Sequence, residues 1–158
     1  MDLKFSVSAR IAKPVEEVFE AVANPEKLSR YFTTGGAKGR LETGATVMWD
    51  FHDFPGAFPV EVIEVERNRR IVLRWAANEG PAEGEAQSAA SGYMTTVTMT
   101  FEALDAGRTL VSITEEGWRS TPGGLKASYD NCQGWSQMLC ALKANLEYGI
   151  NLREGMYK

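Results

Sequence analysis

Between residues 3 and 11 apolar side chains fall on every second position, Leu3, Phe5, Val7, Ala9 and Ile11, with Lys4, Ser6, Ser8 and Arg10 between them. Successive side chains of a strand point to opposite faces, so this alternation predicts a half-buried β-strand. The period then lengthens. Val15, Val18, Phe19 and Val22 recur at helical spacing, Pro14 stands where a first helical residue can spare its N–H, and Glu16 and Glu17 complement the positive end of the helix dipole. Asn24-Pro25 ends this short helix, because a residue before proline is pushed out of the α region. Pro25 in turn opens a second helical turn through Leu28, Tyr31 and Phe32.

Strand composition returns at residues 37–41, 46–51, 58–66 and 70–75, separated by Thr43-Gly44, Pro55-Gly56 and Arg67-Asn68. Such a run of hairpins is an antiparallel meander. Residues 76–92 hold Ala, Gly, Glu, Ser and Asn with almost nothing large and apolar, which predicts a mobile loop between strands. Alternation resumes with Val97, Met99, Phe101 and Ala103 facing one way and Thr96, Thr98, Thr100 and Glu102 the other. Asp105-Ala106-Gly107 then turns the chain into a partner strand at 109–116. Over residues 125–148 Trp135, Met138, Leu139, Leu142 and Leu146 form one apolar stripe, predicting a helix of roughly 36 Å. Gly123-Gly124 precede it, and Gly149 stands where a left-handed C-terminal cap belongs.

A chain of 158 residues with 44% hydrophobic and 24% charged side chains suits one domain over residues 1–158, with a core large enough to need no disulfide staples. No secretory pattern opens it and no stretch approaches about 18 apolar residues, so a cytoplasmic protein without a membrane partner is expected. The net charge of -4 is spread along the chain, and its densest basic spot, Arg67, Arg69 and Arg70, falls at a predicted turn. No nucleic-acid partner is expected from that distribution. Cys132 and Cys140 are about 12 Å of helical rise apart, too far for a mutual disulfide, and are expected as small buried apolar residues.

Two runs carry a resemblance. Ile11-Ala12-Lys13-Pro14-Val15-Glu16-Glu17-Val18-Phe19 followed by Asn24-Pro25-Glu26-Lys27-Leu28-Ser29-Arg30-Tyr31-Phe32 resembles the opening of the family related to the activator of the ninety-kilodalton heat-shock protein ATPase. The closing run from Gly134-Trp135-Ser136-Gln137-Met138-Leu139 to Leu146-Glu147 is similar to that family's end, and the two predicted hairpins between them match in order and spacing. The family lies within the START-like or SRPBCC superfamily. The resemblance implies an α+β helix-grip fold: a curved antiparallel sheet wrapped around a long C-terminal helix, with two short helices after the first strand. It also implies a cavity between sheet and helix, in a superfamily that spans lipid carriers, antibiotic-sequestering proteins, polyketide cyclases and co-chaperone domains, so the fold alone does not settle function.

The aromatic residues are the informative group for such a cavity, since ligand pockets are lined by apolar and aromatic side chains with a few orienting polar groups. Tyr31, Phe32, Trp49, Phe51, Phe58, Trp75, Trp118, Tyr129 and Trp135 are expected to line it with Met138, and Asn131 or Tyr129 to orient a bound apolar or aromatic small molecule. The sole histidine, His52, is expected in an exposed turn. Glu115, Glu116 and Asp105 are expected at solvated strand ends. A single histidine rules out metal ligation by histidines, and no cofactor is expected. Two alternatives remain. One is a co-chaperone-like chaperone partner, ranked lower because the eukaryotic activator carries an additional domain that this sequence lacks. The other is a cyclase or hydrolase using His52, Tyr129 or Glu115 as acid or base.

Overall fold

The computed structural model describes residues 2–79 and 92–157. Its elements follow in the order β1 (Leu3–Ile11), α1 (Val15–Ala23), α2 (Pro25–Leu28), β2 (Gly36–Lys38), β3 (Thr46–Phe51), β4 (Phe54–Glu66), β5 (Arg70–Ala76), β6 (Met94–Asp105), β7 (Arg108–Trp118) and α3 (Pro122–Tyr148). The strands form one antiparallel sheet in the spatial order β1-β7-β6-β5-β4-β3-β2, so the meander is closed at one side by the first strand pairing with the last. The sheet curves around α3, whose Trp135, Met138, Leu139, Ala141 and Leu142 pack into one core with the inward residues of the strands and with α1. Of the loop expected at 76–92, residues 80–91 lie outside the described residues.

Alternation does what the sequence demands in β7, where Thr109, Val111, Ile113 and Glu115 are buried in turn. Gly117 then interrupts it. With φ at +109° it forms a bulge opposite the Leu3/Lys4 step of β1, and this extra residue shifts the parity so that Trp118 also turns inward. Trp118 stacks on Phe5 at 5.5 Å and joins a small separate cluster with Ala77 and Ala127.

Several boundaries differ from expectation: the strand expected at 37–41 is only Gly36–Lys38, and the second helix ends at Leu28, short of Tyr31 and Phe32. The turn between β3 and β4 is at His52-Asp53, and β4 starts at Phe54 and runs on through Pro55-Gly56. Asp50 Oδ1 accepts hydrogen bonds from the N–H groups of Phe51 and Gly56, fixing this corner, and the positive φ of Gly56 lets the strand continue through it. The long helix starts at Pro122, taking Gly123-Gly124 into its first turn. Thr121 caps it by accepting from the Gly124 N–H at 3.0 Å, and a Cβ at Gly124 would lie 1.9 Å from the Arg119 carbonyl oxygen. Both cysteines depart from the expected burial: Cys132 is half-buried and Cys140 exposed, because both sit off the stripe that α3 turns to the sheet. Among the described residues no helix is long and apolar enough to cross a membrane.

Leu142 is fully buried on α3. Leu142→Asp would strand a charge there, and we expect loss of the cooperative thermal transition by circular dichroism; a variant melting within a few degrees of the parent would contradict the packing.

Candidate functional site

Glu115 is fully buried at the end of the inward row of β7. Four side chains from three elements converge on its carboxylate. Trp135 Nε1–H of α3 donates to Oε1 at 2.8 Å, Trp75 Nε1–H of β5 donates to Oε2 at 2.9 Å, and the Thr95 hydroxyl of β6 donates to Oε2 at 2.6 Å. Asn131 Nδ2 of α3 donates to both oxygens at 3.0 and 3.1 Å. An indole N–H can only donate, so the arrangement is complementary to an ionised carboxylate. Burial raises the Glu115 pKa above the usual carboxylate range, and the hydrogen bonds from Thr95, Trp75, Trp135 and Asn131 offset part of that rise.

In front of these two indoles lies a cavity of about 500 Å³. Its wall is a chain of touching rings. Trp75 stacks on Trp135 at 5.4 Å, Trp135 meets Phe32 at 5.5 Å, Phe32 meets Phe51 edge-on at 5.1 Å, and Phe51 stacks on Phe58 at 6.0 Å. Phe58 closes the circuit against Trp75 at 5.9 Å. Asn131 contributes an amide to the lining, while Glu79, Lys126 and Asp130 bring charge to it.

The segment after α3 folds back over the same cavity. Asn151 Oδ1 accepts from the N–H groups of Arg153 and Glu154, a turn that aims Arg153 inward. The Arg153 guanidinium forms a buried two-point ion pair with Asp53 at 2.5 and 3.0 Å, and lies 5.2 Å from the Phe51 ring and 4.6 Å from the Tyr157 ring. Burial would raise the Asp53 carboxyl, but the Arg153 hydrogen bonds and charge more than offset it and hold the group below its usual range.

Of the residues expected at the cavity, Phe32, Phe51, Phe58, Trp75, Asn131 and Trp135 line it. Five others lie elsewhere. Tyr31, Trp49 and Met138 are fully buried in the core, where their volume fills space between helix and sheet, and the Tyr31 hydroxyl donates to the Ala21 carbonyl. Trp118, turned inward by the Gly117 bulge, packs with Phe5, Ala77 and Ala127 in a separate cluster. Tyr129 is 67% exposed, on the face of α3 turned to solvent.

Glu115 is the other correction, a buried carboxylate where a solvated one was expected. Its place in the inward parity of Val111 and Ile113 was the available signal. Glu116 and Asp105 do lie at the surface, paired with Lys4 and Arg108. His52 is exposed in the β3–β4 turn, where Nδ1 meets Glu154 at 2.9 Å. Sequence reasoning missed Phe54, Tyr157 and Arg153, which belong to the corner and the terminal segment. Among the described residues no group of three or more His, Cys, Asp or Glu side chains is placed to hold a metal ion.

A curved antiparallel sheet gripping a long C-terminal helix, with a ring-lined cavity between them, defines the START-like helix-grip class. Residues 12–147 match the family described as activator of Hsp90 ATPase homolog 1-like protein, and the chain belongs to that family. The structure is similar to a protein from Staphylococcus saprophyticus, with 26% identity, a TM-score of 0.75, and coverage of 95% of this chain and 96% of that one. It is equally similar to DynU16 of the dynemicin biosynthetic locus, at 26% identity and TM-score 0.75, covering 97% of this chain and 50% of that chain. The Aha1 dimer from Colwellia psychrerythraea shares the fold at 18% identity and TM-score 0.67, over 92% of this chain and 97% of that one. No curated protein matches the chain in sequence.

Because the Glu115 pKa is raised, its proton-linked contribution to stability is full below the ordinary carboxylate value of about 4.3 and is lost as pH rises through the raised value. Whichever oxygen it replaces, the amine of Glu115→Gln meets an indole N–H that can only donate, and we expect the change to cost about 1–3 kcal/mol. That cost should shrink between pH 4.5 and pH 8 in urea unfolding; a cost that grows with pH would mean that the four donors outweigh burial.

Proposed function

We propose that this protein binds an apolar, aromatic small molecule in the cavity walled by Phe32, Phe51, Phe58, Trp75 and Trp135. The observation that carries the reading is the wall of five mutually touching rings lining a space of about 500 Å³, within the size range of small-molecule sites. Both indole N–H groups on this wall are committed to Glu115, so the rings offer the ligand apolar faces. A larger groove of about 600 Å³ beside α1 supports no such reading, because Glu16, Glu20, Arg40, Glu42 and Arg67 line it with charge.

Binding without catalysis is the form of this reading that the side chains favour. Glu115 has its oxygens occupied by four donors, His52 stands in an exposed turn paired with Glu154, and Tyr129 points to solvent. A general acid or base must reach the substrate's proton; none of the three is among the lining residues, and the lining carboxylates Glu79 and Asp130 are engaged by Tyr93 and Lys126. Family membership supports a second reading, a chaperone as protein partner. The two readings separate cleanly, since a protein partner need not compete with a small aromatic for the cavity.

A thermal-shift screen of flat aromatics, sterols and fatty acids tests the proposal. A binder at a hundredfold over its Kd should add about 2.7 kcal/mol to the folded state and quench tryptophan emission. Phe58→Ala, a change at a half-buried wall position, should weaken that binder by roughly tenfold for the lost ring contact while the free protein keeps a cooperative melt. A screen with neither shift nor quenching would remove the small-molecule reading and leave the protein partner.

A further inference from the structure

We propose that Asn131 selects ligands carrying a hydroxyl or N–H donor, and that Glu115 is the positioning residue that sets this preference. The inference rests on the reading of the cavity as a small-molecule site and names the chemistry of its ligand more closely.

The argument starts from the two ends of the Asn131 amide. Its Nδ2 donates to both Glu115 oxygens, at 3.0 and 3.1 Å. Its Oδ1 accepts no hydrogen bond from any described residue, and the side chain is half-buried in the cavity lining. Which way an asparagine amide faces follows from its hydrogen-bond network. Here the network permits one answer, because turning the amide over would set Oδ1 against two acceptor oxygens of a carboxylate that is already surrounded by donors. Glu115 therefore draws the amine end to itself and leaves the carbonyl end turned away from it, toward the cavity.

Several donors around the cavity are already engaged. Trp75 and Trp135 turn their N–H groups to Glu115, the Thr95 hydroxyl donates to the same carboxylate, Lys126 pairs with Asp130, and Arg153 is bound to Asp53. Beside the stacked pair Trp75 and Trp135, the wall thus presents an acceptor to whatever ring lies against it. A ligand that displaces water from this acceptor without donating leaves it unpaired, so a ligand able to donate there gains over an otherwise equal ligand that cannot.

Calorimetric titration of 2-naphthol against 2-methoxynaphthalene at pH 7.5 tests this, because the two share a ring system and differ in one proton donor. Their apolar surfaces alone favour the ether. In the parent protein we expect naphthol to bind about tenfold tighter, the effect of roughly one well-formed hydrogen bond. Asn131→Leu should abolish that preference. Glu115→Gln, in which the new amine can donate to Asn131 Oδ1 and free Nδ2 for the cavity, should reverse it. Equal or tighter binding of the ether by the parent protein would overturn donor selection and leave the aromatic-ligand reading intact. Binding of neither compound would overturn the reading and the inference together. The parent comparison decides even if Asn131→Leu does not fold, and an unchanged preference in a folded Glu115→Gln protein would overturn the positioning role.

Discussion

A buried carboxylate in an otherwise apolar interior is tolerable only when its lone pairs are occupied, and Glu115 meets this condition by drawing donors from β5, β6 and α3. The requirement works in both directions. Trp75 and Trp135 are large rings whose N–H groups also need partners once buried, and one carboxylate answers for both. Their stacking angle, their facing into the cavity and the orientation of the Asn131 amide all follow from this shared acceptor. Removing it would leave two indoles, a hydroxyl and an amide without a common anchor, so the cavity wall depends on a residue that does not line the cavity.

At the other side of the cavity a second buried charge pair performs a related task. Asp53 and Arg153 are joined across the β3–β4 turn and the segment after α3, with Phe51 and Tyr157 flanking the guanidinium. A pair this buried gives little net stability, since its attraction mostly compensates desolvation. It does fix geometry: a turn and a terminal segment, neither of which has a regular hydrogen-bond ladder to hold it, are set at one position over the aromatic wall.

Much of this architecture was legible in the sequence wherever burial imposes a period. The β1 alternation, the β6–β7 hairpin and the apolar stripe of α3 were all readable, because each has one wet and one dry face. The aromatic wall was half legible. Composition showed which rings were available, but it did not tell Phe32 and Phe58, which face the cavity, from Trp49 and Met138, which fill the core. That distinction depends on where helix and sheet part company, a tertiary property. Trp118 reaches the inner face only through the bulge at Gly117 and packs there with Ala77 and Ala127, a separate cluster that no local pattern announces. Glu115 was hidden by its chemistry: charge argues for the surface, and only parity within β7 argued otherwise. Arg153 and Asp53 carry no local pattern, because their meaning lies in each other.

The closure of the sheet by β1 against β7 has a consequence for how the chain acquires its structure. Leu3 pairs with Trp118, and Ile11 with Thr109, so the first strand's partner is made about a hundred residues later. At about 5–20 residues per second of synthesis, β1 waits on the order of 5–20 seconds with its apolar side uncovered. The meander from β3 to β5 and the β6–β7 hairpin can assemble locally in that interval, whereas β1 and α1 contribute only when the long-range closure is made. β1 leaves the ribosome before the other strands of its sheet, and until β7 is made its alternating Lys4, Ser6, Ser8 and Arg10 keep one of its faces compatible with water.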